Sequence, residues 1–242
     1  MNVTSTLRGG ILALALAFGA GTAGATPIQV EQQVTGGWNA VFGGNGYANA
    51  TISGPALAGG SSVTVAAGGF ALTAEGLGDF VAFCLDINTW LSLPSYYAVT
   101  ETPFSGGPAL LTTTQRNNIQ ALFNTGYAGL NLGSNTDSAA FQIALWEVLY
   151  DSSGSLNLGA GNFIVSSTTA VINRAAGLLA GLAGPATGVY ELTWLQSLDG
   201  PDANSYRDSQ NLVTATPIPL PAGGLLLVSA LGLMFLRRRR TA

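Results

Sequence analysis

The first part of the chain carries short runs of alternating or β-branched residues, separated by glycine-rich turns. Three such runs cover residues 61–66, 69–74 and 79–87. Alternation places successive side chains on opposite faces of a strand, so each run predicts a short β-strand. A later run at 189–195 has the same character and predicts a strand that returns to the same sheet.

The middle of the chain changes to helical spacing, in which apolar residues recur every three or four positions. Residues 112–123 form the first such segment, with a threonine near its start as the N-cap. A third helix is predicted over 167–182. It is expected to end there because Gly184-Pro185 shortly after it is a strong stop signal.

The second helical segment, 137–150, is the most apolar of the three, and Thr136 or Asp137 is expected to cap it. Its apolar residues follow the i, i+3, i+4, i+7 and i+8 positions that share one helix face. They are Phe141, Ala144, Leu145, Val148 and Leu149.

Strands before the helices and a strand after them predict an α+β fold. We expect an antiparallel β-sheet or barrel, built from the N-terminal strands and the 189–195 strand, with an inserted helical subdomain. The sequence shows no internal repeat. Residues 26–215 are therefore expected to form one extracellular domain.

The chain begins with the features of a secretory signal peptide. Arg8 precedes an apolar run at 11–18, and Ala23-Gly24-Ala25 supplies the small residues before a cleavage point. The alternative, a transmembrane helix, needs a longer apolar run than this segment has. Residues 1–25 therefore predict export and processing by signal peptidase.

The last residues, 216–242, have three parts in a fixed order. A proline-rich segment leads into an apolar stretch at 223–236, which is only just long enough to span a bilayer as a transmembrane helix, and an arginine cluster follows. The positive-inside rule keeps such a cluster cytoplasmic. The residues concerned are Pro219, Leu220, Pro221 and Ala222 in the proline motif and Arg237, Arg238, Arg239 and Arg240 at the end.

This three-part order resembles the PEP-CTERM family of sorting signals, in its VPLPA variant, although Ile218 stands where that variant has valine. The resemblance implies a Gram-negative host, often one that makes exopolysaccharide. It also implies transient inner-membrane anchoring and processing by an exosortase-type membrane transpeptidase, followed by release to the cell surface or extracellular matrix. The alternative is a plain tail anchor that is never processed.

Charge and composition exclude several functions for the body of the protein. Only Arg116, Arg174 and Arg207 lie between the two terminal signals, against twelve acidic residues, so the body carries a net charge of about nine negative. Nucleic-acid binding depends on basic residues that neutralise phosphates, so nucleic acid is excluded as a partner.

Residue types that are absent narrow the chemistry further. The chain has no histidine, no lysine and one cysteine, Cys84. A Ser-His or Cys-His nucleophile, a typical zinc site and an intramolecular disulfide are therefore ruled out. We expect no cofactor, no metal and no enzymatic turnover.

Two short motifs stand out against this background. Phe83-Cys84-Leu85-Asp86 lies on a predicted strand, and Phe141-Gln142-Ile143-Ala144-Leu145-Trp146 lies on the second predicted helix. Together they resemble the signature of bacterial surface thioester domains, over roughly residues 38–208. The resemblance implies that the Cys84 thiol condenses with the Gln142 carboxamide, releasing ammonia and leaving an internal thioester.

A thioester couples a reactive acyl group to a good leaving thiolate, so it reacts with amines and hydroxyls unless it is shielded. Trp146 lies one helical turn after Gln142 and is expected to pack over the bond and limit water access. An apolar strand raises the pKa of a thiol, and Asp86, on the same strand face as Cys84, also disfavours thiolate. We therefore assign Asp86 no catalytic role.

The leading hypothesis is an exported, surface-sorted adhesin that attaches covalently to an amine or hydroxyl on a surface or polysaccharide target. One alternative is a structural or exopolysaccharide-associated matrix protein in which Cys84 is simply a small buried residue. A second is that the thioester serves only as a staple, worth about 4 kcal/mol in the chain-entropy model. An enzyme is the weakest hypothesis, because the chain offers no suitable catalytic cluster.

Overall fold

The computed structural model describes residues 27–101, 103, 110–151, 154–198 and 209–218. Nine strands and three α-helices lie in these ranges. The strands are β1 Ile28–Gln32, β2 Tyr47–Ser53, β3 Val63–Gly68, β4 Phe70–Ala74, β5 Gly78–Cys84, β6 Ser95–Thr100, β7 Ile164–Ser166, β8 Tyr190–Ser197 and β9 Leu212–Pro217. The helices are α1 Thr113–Gly126, α2 Asn135–Tyr150 and α3 Thr169–Ala180, and short 3₁₀ turns cover Trp38–Phe42, Tyr127–Gly129 and Gly181–Ala183.

Six of the strands close into an antiparallel barrel in the order β1-β4-β5-β9-β8-β6. The remaining strands form a separate antiparallel sheet in the order β3-β2-β7. Closure pairs every barrel strand on both edges, which removes the exposed edges of an open sheet. The predicted α+β class, with an antiparallel barrel and helices inserted between its strands, is confirmed.

The predicted strands are correct in position but not in every boundary. The third predicted strand, 79–87, ends at Cys84 in the structure, where Cys84 pairs with Leu212 of β9. Beyond that pair the chain leaves the barrel, although the Leu85 N–H still donates to the Asn211 carbonyl at 2.8 Å. Cys84 is thus the last residue of its strand.

The first helix begins as the sequence predicts. Thr112 caps α1, accepting a hydrogen bond from the Gln115 N–H, and the Gln115 side chain accepts one from the Thr112 N–H, which completes a capping box. The predicted cap of α2 is wrong by two or three residues, because Ser134 and not Thr136 or Asp137 accepts the bond, from the Asp137 N–H.

Helix α2 is the centre of the molecule. Residues 138–149 are all buried, so the helix is enclosed on every side and does not bury only the one predicted face. It packs against α1, α3, β2 and β3. One salt bridge joins it to α3, from Arg174 Nε to Asp137 Oδ1 at 2.8 Å.

Two polar side chains of α2 face the barrel, four residues apart. Ser138 Oγ accepts the Gly69 N–H at 2.9 Å, and Gln142 lies one turn further along the same face. A Cβ at Gly69 would lie 2.8 Å from Val81 Cγ1 and 3.1 Å from Phe83 Cζ, so glycine here avoids a clash with two side chains of the neighbouring strand β5. The Gly69 backbone thus contacts α2 through its N–H, while the missing Cβ serves its packing against β5.

The predicted terminal signals lie almost wholly outside the described residues. The predicted signal peptide at 1–25, the proline motif from Pro219 onward and the arginine cluster are not described. Strand β9 extends through Thr216 and Pro217, which pair with Glu191 and Tyr190 of β8. Within the described part of the chain, none of the helices combines the length and apolarity that crossing a membrane requires.

Candidate functional site

Cys84 and Gln142 meet where strand β5 ends against helix α2. Cys84 is 3% exposed and Gln142 is 1% exposed. They are 58 residues apart in the chain, and two hydrogen bonds join them where the last residue of β5 contacts α2. The structure thus places the two residues of the predicted crosslink side by side.

The Gln142 carboxamide pairs with the backbone of Cys84 through both of its polar atoms. The Cys84 N–H donates to Gln142 Oε1 at 2.8 Å, and Gln142 Nε2 donates to the Cys84 carbonyl at 2.9 Å. A buried amide needs such partners, because leaving it unpaired costs roughly 1–3 kcal/mol. The two bonds fix the carboxamide directly beside the cysteine.

The thiol is held by the residue two positions further on. Cys84 Sγ donates to the Asp86 carbonyl at 2.8 Å, and the Asp86 N–H donates to Sγ at 3.2 Å. Burial strongly raises the pKa of the Cys84 thiol, the nearby Asp86 charge raises it further, and the Asp86 backbone and the Trp146 N–H oppose that rise. The cysteine is therefore a neutral thiol at physiological pH.

The predicted effect of Asp86 is confirmed, but the predicted geometry is wrong. The strand has already ended at Cys84, so the two residues do not share a strand face by alternation. The Cys84 sulfur instead contacts the Asp86 backbone, and Asp86 then opens a turn in which the Asn88 N–H donates to Asp86 Oδ1 at 2.8 Å. Burial raises the pKa of Asp86, and hydrogen bonds from Thr89 and Asn88 counter that rise.

This geometry suits an acyl transfer from the Gln142 nitrogen to the Cys84 sulfur. Attack of Sγ on the Gln142 carboxamide carbon would place negative charge on Oε1, the atom to which the Cys84 N–H already donates. A donor aimed at a developing oxyanion lowers the barrier of such a step. The leaving nitrogen, Nε2, lies against the Cys84 carbonyl.

Trp146 and Tyr150 continue the row of α2 side chains that faces this point. Trp146 is buried and its ring lies 6.2 Å, centroid to centroid, from that of Phe163. The Tyr150 hydroxyl accepts from the Ile87 N–H at 3.3 Å and donates to the Leu85 carbonyl at 3.2 Å. Tyr150 therefore clamps the backbone that follows Cys84.

A cavity of about 950 Å³ opens beside the pair, and Cys84, Gln142 and Trp146 all line it. Its volume is at the upper end of the range of small-molecule sites. Trp146 thus lies beside the pair, in the wall of this cavity.

Two buried carboxyl groups, those of Glu147 and Asp151, lie near the end of α2. Sequence analysis missed them. Glu147 Oε1 accepts from the Asn157 N–H, and the Asp151 carboxylate accepts from the Asn162 and Phe163 N–H groups at 2.7 and 2.8 Å. Burial raises the pKa of Glu147 to about 7, and the Asp151 charge adds to that rise. These carboxyls anchor the segment that precedes β7.

Four residues around the cysteine were not predicted from sequence: Ser138, Tyr150, Trp90 and Gln210. The first two had a detectable signal, because residues 138, 142, 146 and 150 repeat every four positions along one helix face. Trp90 and Gln210 line the cavity from loops, where no periodicity marks them. Within the described part of the chain, no group of three or more His, Cys, Asp or Glu side chains is placed to hold a metal ion.

Comparison with known proteins gives little further information. No family model and no curated protein matches the sequence. Among solved structures, the chain is similar to the N-terminal thioester domain of fibronectin-binding protein SfbI from Streptococcus pyogenes, with 15% identity over 82% of this chain and 97% of that one. The TM-score is 0.43, a level that carries no argument, so the function is inferred from the contacts around Cys84 and Gln142.

Proposed function

We propose that the protein is an exported surface adhesin in which Cys84 and Gln142 form an internal thioester for covalent attachment. The observation that supports this most directly is the double hydrogen bond between the Gln142 carboxamide and the Cys84 backbone. These two bonds hold the Gln142 acyl carbon and the Cys84 thiol in one buried site. Export and surface sorting enter the proposal from the two terminal signals, with signal peptidase and an exosortase-type transpeptidase as partners.

The chemistry balances without an added reagent. The Cys84 thiol attacks the Gln142 carbonyl carbon, the bond from that carbon to Nε2 breaks, and the thiol proton leaves with the nitrogen as ammonia. In use, an external amine or hydroxyl attacks the same carbon, and the carbon–sulfur bond breaks. The target is then joined to residue 142, and its proton returns sulfur to a thiol.

The raised pKa of the thiol has two consequences for this scheme. It slows the first attack, because thiolate is the stronger nucleophile and little of it is present. It also makes thiolate a poor leaving group while the site stays dry, which slows discharge by water. A target that fills the cavity and protonates the sulfur would overcome this barrier.

Methylamine tests the proposal, since it is small enough to enter the cavity. The wild-type protein is treated with methylamine, unfolded in a thiol reagent and mapped by peptide mass spectrometry. We expect an N-methylamide at position 142 and a newly labelled Cys84, and neither methylamide nor label in a Cys84→Ala control. Absence of methylamide in the folded wild-type protein contradicts the proposal.

A second candidate function is a non-reactive matrix protein, and the thiol contacts favour it. Cys84 Sγ is already satisfied by two bonds to the Asp86 backbone, so a permanent free thiol fits the site without strain. In that case methylamine adds nothing and Cys84 labels on unfolding alone. A thioester that resists methylamine but is present by mass would instead identify a structural staple.

A further inference from the structure

Two residues that line the cavity carry buried polar groups for which the described part of the chain offers no hydrogen-bond partner. Trp146 Nε1 and Gln210 Oε1 have no hydrogen-bond partner among the described residues, although both residues are more than nine-tenths buried. Trp146 Nε1 lies near Cys84 but forms no bond that satisfies hydrogen-bond geometry with it. Since a buried polar group without a partner is costly, these two groups point to a ligand.

The two groups have opposite requirements. An indole N–H can only donate, and the Gln210 oxygen can only accept. An ammonium group could satisfy Gln210 but not Trp146, because it has no lone pair to accept with. Hydroxyl groups both donate and accept, so a molecule with several hydroxyls satisfies both positions.

The charge of the cavity also favours a neutral ligand. Asp86 is the only residue of a charged type among the described residues that line it. Its carboxyl already accepts bonds from Asn88 and Thr89, which leaves it little capacity for a cation. No arginine lies among the described lining residues and the chain has no lysine, so this part of the cavity offers an anion no charged partner.

The lip of the cavity combines one flat aromatic side chain with small neutral polar ones. Trp90 lines the cavity and is 69% exposed, so its flat indole is available to a ligand. Asn49, Ser61 and Ser62 also line the cavity and are exposed. A sugar ring matches this arrangement, because it has an apolar C–H face for the indole and hydroxyls around its edge.

We propose that this cavity binds a neutral sugar, and that a sugar hydroxyl is the nucleophile that takes the acyl group of Gln142. The cavity volume of about 950 Å³ accommodates one or two sugar rings. The second half of the inference rests on the thioester proposed above. There the hydroxyl oxygen attacks the acyl carbon, the carbon–sulfur bond breaks, the hydroxyl proton passes to sulfur, and an ester and a free Cys84 thiol result.

Sugar binding is tested apart from the thioester in a Cys84→Ala variant of the full domain, which cannot form the bond. Methyl glycosides of glucose, galactose, mannose and N-acetylglucosamine serve as neutral probes, with cadaverine as the cationic one, in saturation-transfer NMR. We expect at least one glycoside to bind better than cadaverine. Adding Trp90→Ala or Gln210→Leu should weaken binding about five- to tenfold, whereas the exposed Val99→Ala should not change it.

The outcomes separate the two proposals. Binding of no glycoside, unchanged binding after both Trp90→Ala and Gln210→Leu, or preference for cadaverine overturns the sugar site, whatever the thioester does. In the wild-type protein we expect a mass increase of one glycoside, released by mild base as an ester is. If methylamine attaches but no glycoside does, the hydroxyl assignment is wrong and the thioester stands. If neither attaches, the hydroxyl assignment fails together with the proposed function in covalent attachment.

Discussion

The rings of Phe83 and Phe141 pack with their centroids 4.8 Å apart, and each precedes one member of the Cys84–Gln142 pair. Both rings are fully buried and both contact Phe123 and Tyr127 of the α1 region. The cluster joins the barrel to two helical elements by apolar contacts that need no precise hydrogen-bond geometry. It therefore sets the distance across which the carboxamide meets the cysteine.

Phe141→Ala should be among the most destabilising substitutions in the domain. Truncating a buried phenylalanine costs about 3–5 kcal/mol, while Phe141→Leu, which leaves a smaller cavity, should cost less than half of that. Denaturant unfolding of both variants measures this. The exposed Val189→Ala serves as a control and should stay within about 0.5 kcal/mol of wild type. A loss below about 1 kcal/mol for Phe141→Ala would contradict a central role for the cluster.

Trp146 should control how long the thioester survives in water. Replacing it with alanine opens the cavity wall beside Gln142, and we expect hydrolysis to accelerate about tenfold or more, equal to about 1.4 kcal/mol of barrier. Trp146→Phe keeps most of the bulk and should have a smaller effect. Intact mass followed over hours at neutral pH reports the conversion of residue 142 to glutamate. Equal lifetimes in all three proteins would remove the shielding role.

Glu147 should make stability fall as the pH rises. Because its pKa is raised from 4.5 to about 7, the folded protein holds a proton that the unfolded chain has already lost between those values. The free energy of unfolding therefore decreases through that window, by an amount of the order of 2–3 kcal/mol. Glu147→Gln keeps an acceptor for Asn157 without a charge, so its stability should change less with pH.

Chemical unfolding of wild type and Glu147→Gln at pH 5 and pH 8 provides the comparison. Asp86, whose pKa is also raised, contributes with the same sign in both proteins and cancels in the difference. The variant should equal or exceed the wild type in stability at pH 8. Identical pH slopes for the two proteins would show that Glu147 is not protonated as described.

The Arg174–Asp137 salt bridge should contribute only modestly to the free energy of unfolding. Its side chains are 37% and 21% exposed, so solvent screens the pair, and Arg174→Gln should cost less than about 1 kcal/mol at neutral pH. The pKa of Asp137 is lowered, because bonds from Asn131 and Arg174 outweigh its partial desolvation. The difference in free energy of unfolding between Arg174→Gln and wild type should thus be present above the ordinary pKa of an aspartate. It should disappear as the pH falls through the lowered pKa of Asp137. Urea unfolding at pH 7 and pH 3 tests both points.

The helices were predictable from sequence, and their ends follow from local chemistry. Periodic apolar residues located α1, α2 and α3, and a threonine cap near the start of α1 was foreseen because capping depends on neighbours within four residues. The cap of α2 was misplaced since Ser134, Thr136 and Asp137 are all suitable capping types. Only the tertiary fold selects Ser134.

The closure of the barrel was less accessible to prediction. Strands β1 and β6 pair only with partners far away in the chain, and β9 pairs with distant β5 as well as with β8, so no local pattern predicts the register that closes the barrel. Strand β1 does alternate, with Gln29 and Glu31 beside Ile28 and Val30, but five residues give only a weak local signal. The site was predictable where it rests on the two motifs, whereas the cavity loops that carry Trp90 and Gln210 depend on packing across the whole domain.

The intact mass of the purified domain, residues 26–216, tests the central claim most directly. It is measured on freshly prepared protein beside a Gln142→Ala variant and a Gln120→Ala control, which changes a helical glutamine that bonds Asn124 and the Tyr190 carbonyl. We predict that the wild type and the Gln120→Ala control are each lighter than their sequences by one ammonia, and that Gln142→Ala is not. Three masses that all match their sequences would contradict the thioester and leave Cys84 as a buried thiol.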